Sequence, residues 1–202
     1  MFTLEQGEQA VQFARSVVDS TVNHQPKPAH LSDEIFQEKQ GAFVTLHTHP
    51  QHDLRGCIGI PTPVLPLVDA LQEAGRSATH DPRFHPVQPQ ELGSIVIEVT
   101  ILTPPKLIHV KQPKEYTKHI KIGTHGLIVE QGMYKGLLLP QVPVEQGWGK
   151  EEFLSHTCMK AGLLPDAWFE RSTKIYLFSG QVFTETAPYG NVEEKKLDGS
   201  RS

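Results

Sequence analysis

Residues 54 to 59 read Leu-Arg-Gly-Cys-Ile-Gly and set a thiol beside a guanidinium, with glycines that let other groups approach the backbone. A nearby cation favours thiolate over thiol, so Cys57 is a candidate nucleophile with Arg55 as its charge partner or as an anchor for a substrate anion. A nucleophilic cysteine usually needs a base within hydrogen-bond reach. His125, in Gly123-Thr-His-Gly126, is a candidate for that role. Glu98 interrupts the apolar run Ile95–Leu102 and is a candidate orienter or acid, because a carboxylate there must be paired or have a raised pKa. Arg83, in Asp81-Pro-Arg-Phe84, can act as a bidentate anion clamp. Each residue also has a structural reading. Cys57 is then a small core hydrophobe, Glu98 a salt-bridge partner of Arg55 or Arg83, His125 a hydrogen-bonded turn histidine, and Arg83 the satisfier of exposed carbonyls in a helix-ending loop.

Alternating side chains have to position these groups. If Leu54–Ile60 is a strand, Arg55 and Cys57 share one face while Leu54, Ile58 and Ile60 take the other. The run Phe43–His47 and the polar turn His49–Asp53 make it the second strand of a hairpin. Ile95–Leu102 is the clearest further strand, with Val96, Glu98, Thr100 and Leu102 on one face. Ile120–Glu130, Gly132 and Tyr134–Leu139 read as a second hairpin, and Lys174–Thr184 as a last strand. A helix is expected from about Leu4 to Asn23, opened by a Thr3/Gln6 capping box and ended before Pro26 and Pro28. Val64–Thr79 is expected to be helical and stops at Asp81-Pro82. Glu151–Met159 is a third helical segment. From Ala187 the chain is polar and patternless, which predicts a mobile tail.

The histidine-rich stretch His47, His49 and His52 with Asp53 has ligand-type side chains. Pro50 and the turn break their spacing, so a solvated hairpin tip is the better reading and no metal site is assigned. Cys158 lacks an activating neighbour. Trp148 is either a pocket wall or core. No glycine-rich phosphate loop or dinucleotide fingerprint is present, and no cofactor is assigned.

Composition narrows the function classes. The chain has 202 residues, 38% hydrophobic and 21% charged, with a net charge of −4. That describes an ordinary globular protein, and no basic run offers a footprint for nucleic acid. Two cysteines are too few for a disulfide framework. The opening residues lack the apolar core of a signal peptide, and no apolar run approaches the ~20 residues that span a bilayer. A cytoplasmic location is expected. Interspersed helices and hairpins argue for an α+β fold with a mainly antiparallel sheet and flanking helices.

The blocks Gly41-Ala-Phe-Val-Thr-Leu46, Leu54-Arg-Gly-Cys-Ile-Gly59, Asp81-Pro-Arg-Phe84, Ile97-Glu-Val99, Gly123-Thr-His-Gly126, Leu138-Leu-Pro140 and Lys160-Ala-Gly-Leu163 resemble, in this order, the AMMECR family, whose signature is LRGCIG. The resemblance runs from about Phe2 to Glu185. It implies a single AMMECR-type domain over residues 1–186, with two lobes around a cleft near the signature, followed by the tail 187–202. It implies no established activity. It also implies an association with Memo-like and radical-SAM proteins, hence a step in a shared modification or small-molecule pathway. Two functions are therefore expected as alternatives. One is an enzyme or enzyme subunit using Cys57 with His125 and Glu98. The other is a binding or adaptor module in which Arg55 and Arg83 are anchors, with a nucleic-acid-associated regulator as a more distant variant.

Overall fold

Thr3 opens the first helix as read from sequence. Its hydroxyl accepts from the Gln6 amide while the Gln6 side chain accepts from the Thr3 amide. This α1, Leu4–Val22, buries Ala10, Val11, Ala14, Val17 and Val18 along one stripe. In a computed structural model describing residues 1–28 and 31–195, the next elements are β1 (Gly41–Thr48), β2 (Leu54–Ile60), α2 (Leu67–Ala78) and β3 (Ile95–Leu102). They are followed by β4 (Lys106–Leu107), α3 (Tyr116–His119), β5 (His125–Gln131) and β6 (Tyr134–Leu138). Then come α4 (Gln141–Gln146), α5 (Lys150–Lys160), β7 (Lys174–Glu185) and β8 (Val192–Lys195).

The strand pairings with assigned register are antiparallel, and helices flank them. The fold is α+β, as expected. Among the described residues the chain divides into two compact units, one made of Met1–Leu102 with residues 181–195, the other of Thr103–Gly180. In the first unit the strand order is β2-β1-β3-β7, with β8 paired to the end of β7. Ala42, Val44 and Leu46 of β1 and Ile95, Ile97, Val99 and Ile101 of β3 are buried in one core with α1 and α2. Burying an aliphatic side chain of this size contributes about 1.5–3 kcal/mol, so this face is what holds the unit together. In the second unit β7 pairs with β5, and β5 with β6, around Phe153, Leu154, Trp168 and Ile175.

Some expectations need correction. The second helix starts at Leu67, not Val64, because Pro66 is its N-cap residue. The strand expected from Ile120 begins at His125, since the preceding residues form α3 and a turn. Gln141–Gln146, assigned no element in the sequence, is the short helix α4 ending at Gly147 in the left-handed region. Part of the tail expected to be mobile is a strand. Val192–Lys195 pairs with Val182–Glu185, and Gln181 donates to Glu194 at 3.0 Å. The remainder of that tail, residues 196–202, lies outside the described residues.

Candidate functional site at the LRGCIG strand

β2 is an edge strand, so one row of its backbone groups has no partner strand. Asp81 and Arg83 fill that gap at Cys57. The Cys57 amide donates to Asp81 Oδ2 at 2.8 Å, and Arg83 Nη2 donates to the Cys57 carbonyl at 3.2 Å. Arg83 is held in turn by Asp81, through Nε to Oδ1 at 3.0 Å and Nη2 to Oδ2 at 2.7 Å. Pro82 sets the turn, and the Arg83 amide also donates to Asp81 Oδ1 at 3.0 Å. Asp81 is buried, and the Arg83 guanidinium beside it, with two backbone amides, outweighs the cost of burial and holds its carboxyl far below the usual range. The Asp-Pro-Arg-Phe turn is therefore a clasp on the signature strand, answering edge-strand donors and acceptors with charge-assisted bonds.

Gly56 explains why the strand can lie so close to α2. A Cβ built there would sit 2.4 Å from the Ala78 carbonyl oxygen. Gly59 has a different neighbour, the Phe43 side chain, whose ring would be 2.2 Å from an added Cβ. One glycine admits backbone and the other admits an aromatic ring.

Arg55 does not activate Cys57. The β1–β2 register shifts between Leu46 and His47, which pair with Gly56 and Leu54, and so leaves Arg55 as the unpaired bulge residue. Its guanidinium is taken by Glu91, Nε to Oε1 at 2.8 Å and Nη2 to Oε2 at 3.1 Å. Burial pushes the Cys57 thiol above its ordinary pKa. A hydrogen bond from Thr45 Oγ1 at 3.3 Å and the field of Arg83 only partly offset it. The expected lowered pKa is thus reversed, because desolvation disfavours the thiolate and Arg55, its neighbour in sequence, is engaged by Glu91.

Glu98 is brought near the thiol. Thr45 pairs with Cys57 on one side and Glu98 on the other, so the three residues form a row across β2, β1 and β3 on the face opposite the helices. Burial works against ionisation of Glu98, but His47, with Nε2 3.9 Å from Oε1, and Lys195, with Nζ 3.1 Å from Oε2, hold it below its ordinary value. Its salt-bridge partner is Lys195, not Arg55 or Arg83. The His47 ring also lies 5.1 Å from that of His52. Among the described residues these histidines form no three-ligand cluster.

His125 belongs to the second unit. It opens β5, and its Nδ1 accepts from the Lys121 amide at 3.1 Å while its own amide donates to the Lys121 carbonyl at 2.9 Å. Burial lowers its pKa. These bonds make it the residue that closes the turn into the strand.

Beside the clasp is a pocket of about 680 Å³ lined by Arg55, Pro82–Pro86, Gln88 and Glu91. The Phe84 ring is within cation–π range of both guanidiniums, 5.9 Å from that of Arg55 and 5.7 Å from that of Arg83. Neither Nη1 makes a hydrogen bond among the described residues. Glu91, absent from the sequence reading, fixes Arg55. The Gln88 and Glu91 spacing of a capping box was the signal that could have found it, since the Gln88 amide donates to Glu91 Oε2 at 2.7 Å.

Comparison with known proteins agrees with the motif blocks. The sequence profile of the AMMECR1 family matches residues 11–183. Protein MJ0810 of Methanocaldococcus jannaschii is 56% identical over 198 residues, covering 98% of both chains. Protein MK0488 of Methanopyrus kandleri is 51% identical over 201 residues, covering 96% of both. The crystal structure of the uncharacterized protein PH0010 from Pyrococcus horikoshii superposes with a TM-score of 0.79 at 47% identity, covering 95% of this chain and 97% of that one. On this evidence of profile, sequence and fold, the chain belongs to the AMMECR1 family.

Proposed function

We propose that the pocket of Arg55, Arg83 and Phe84 recognises a small anionic group, a carboxylate or phosphate, on a substrate or partner, and that the site is primarily one of recognition. One observation carries this reading. Two guanidiniums share one aromatic ring within cation–π range, each held bidentate by its own carboxylate, and neither Nη1 makes a hydrogen bond among the described residues. Such preorganisation lowers the ordering cost of binding. Asp81 stands behind Arg83 as its support and is not among the pocket-lining residues. The raised pKa of Cys57 also favours recognition over a resting thiolate. An association with Memo-like and radical-SAM proteins, implied by the resemblance to the AMMECR family, supports a ligand drawn from a shared modification or small-molecule pathway.

A second reading has one observation in its favour. The Cys57–Thr45–Glu98 row sets a thiol, a hydroxyl and a carboxylate side by side across three strands. This row supports the enzyme reading, with Cys57 as the candidate nucleophile and Glu98 as its orienter or acid.

Calorimetric titration of the full chain with inorganic phosphate and with citrate tests the recognition reading. Saturable binding is expected in the wild type and in Cys57→Ser, and is expected to be lost in Arg83→Gln. Equal binding by wild type and Arg83→Gln would refute it.

A further inference from the structure

A separate groove in the second unit lies between α5 and the turn that follows it. It encloses about 450 Å³ and is lined by Glu151, His156, Met159, Pro165, Asp166 and Phe169, among others. Its apolar wall is unusually open to water. Met159 is 52% exposed, Phe169 44%, and Leu164, next to Pro165, 70%. Thioether and aromatic groups left exposed together mark a surface that is covered by something else.

The charges around this wall are of one sign. Glu151, Glu152 and Asp166 line the groove, and no lysine or arginine does. Glu152 spends an oxygen on the Gly149 amide at 2.7 Å, as the N-terminal cap of α5. The carboxylates of Glu151 and Asp166 make no hydrogen bond or ion pair among the described residues. Polar and aromatic contacts hold neighbouring lining residues in place. Trp168 Nε1 donates to Ser155 Oγ at 3.2 Å, and the His156 ring stacks on Trp148 with centroids 3.8 Å apart at 5°. Two exposed carboxylates without side-chain partners, beside an exposed apolar wall, are complementary to a side chain with an apolar stem and a cationic head.

We propose that this groove docks a basic, amphipathic segment of a partner protein. A lysine or arginine stem lies along Met159 and Phe169, and its head group reaches Glu151 and Asp166. The occupant is a peptide segment because the exposed apolar surface continues beyond the groove to Leu164, more than one side chain covers. The site uses none of the residues of the anion pocket, so the two proposals stand independently.

The chain has three methionines, Met1, Met133 and Met159. Methyl-labelled methionine therefore gives a direct readout in the full-length protein. The probes are Ac-Phe-Lys-Leu-Lys-amide and the acidic control Ac-Phe-Glu-Leu-Glu-amide. The basic peptide is expected to shift the Met159 methyl resonance saturably, more weakly at high salt. Glu151→Gln/Asp166→Asn is expected to weaken it about fivefold, the loss of two exposed ion pairs. Phe169→Ala tests the apolar wall in the same assay and is expected to weaken binding as well. The proposal is overturned if both peptides act alike, if the charge variant binds as well as the wild type, or if no shift occurs. It is also overturned if Met159 shifts with protein concentration alone, since a second copy of the chain would then be the occupant.

Discussion

At the scale of single residues, burial outweighs the charges near Cys57. Alternation along Leu54–Ile60 is legible in sequence, but the bulge that removes Arg55 from the alternation is not, because it depends on which residue of β1 faces which of β2. The cation whose field acts on the thiol is Arg83, from a turn 26 positions on, which also binds the Cys57 carbonyl. Alkylation of Cys57 is therefore expected to follow a titration above the ordinary thiol value. Arg83→Gln should move it further up, and Arg55→Ala should leave it in place. A rate plateau below about pH 8, under the ordinary thiol pKa of roughly 8.5, would contradict this. The linked stability has a defined sign. A thiol pKa raised by folding contributes fully below the unfolded value and loses its contribution as pH rises through the folded one. Asp81 works in the opposite direction. Its depressed pKa contributes stability above the unfolded carboxylate value, which is lost as pH falls through the folded one. Asp81→Asn is expected to cost about 1.5–3 kcal/mol at neutral pH, the range for hydrogen bonds to a charged group, discounted because Arg83 stays half in water. Urea melts should show that deficit shrinking in acid, and a deficit independent of pH would contradict the clasp.

At the scale of elements, the LRGCIG strand and the Asp-Pro-Arg-Phe turn are each readable as separate motifs. That one clasps the other follows only from β2 being an edge strand, a property of sheet order that local patterning does not carry. The same limit applies to β8, whose four residues have no strand pattern and are held through pairing with β7, Gln181–Glu194 and Glu98–Lys195. The glycines of the signature give a test of packing. Gly56→Ala and Gly59→Ala should each lower thermal stability, by about 1–3 kcal/mol for overpacking. Phe43→Ala should relieve the Gly59 variant, because the obstacle there is a side chain, and should not relieve the Gly56 variant, whose obstacle is the Ala78 carbonyl. Rescue of both or of neither would contradict this assignment.

At the scale of the whole molecule, an α+β fold is legible from interspersed helices and hairpins, while the assembly of the first unit from two stretches of chain is not. Residues 181–195 complete that unit. Phe183 joins its core, Gln181 accepts from the Phe2 amide at 2.7 Å, and buried Glu185 binds Arg15 and the Ile97 amide. Residues 1–102 expressed alone should show no cooperative melt, because they leave Arg15 buried without its carboxylate partner. A transition like that of the full chain would contradict the division. No described helix is long and apolar enough to cross a membrane. The net charge of −4 gives the anion pocket no help from long-range attraction, so recognition there rests on local geometry.

That geometry can be read at the atoms concerned. Arginine Nε–H resonances of the full-length protein, followed by NMR during a phosphate titration, test the anion pocket most directly. The Nε–H signals of Arg83 and Arg55 are expected to shift together and saturate, and Cys57→Ser should leave both curves unchanged. An absence of shift at either arginine, alongside a Cys57 that alkylates as a thiolate at neutral pH, would contradict the pocket and favour thiol chemistry instead.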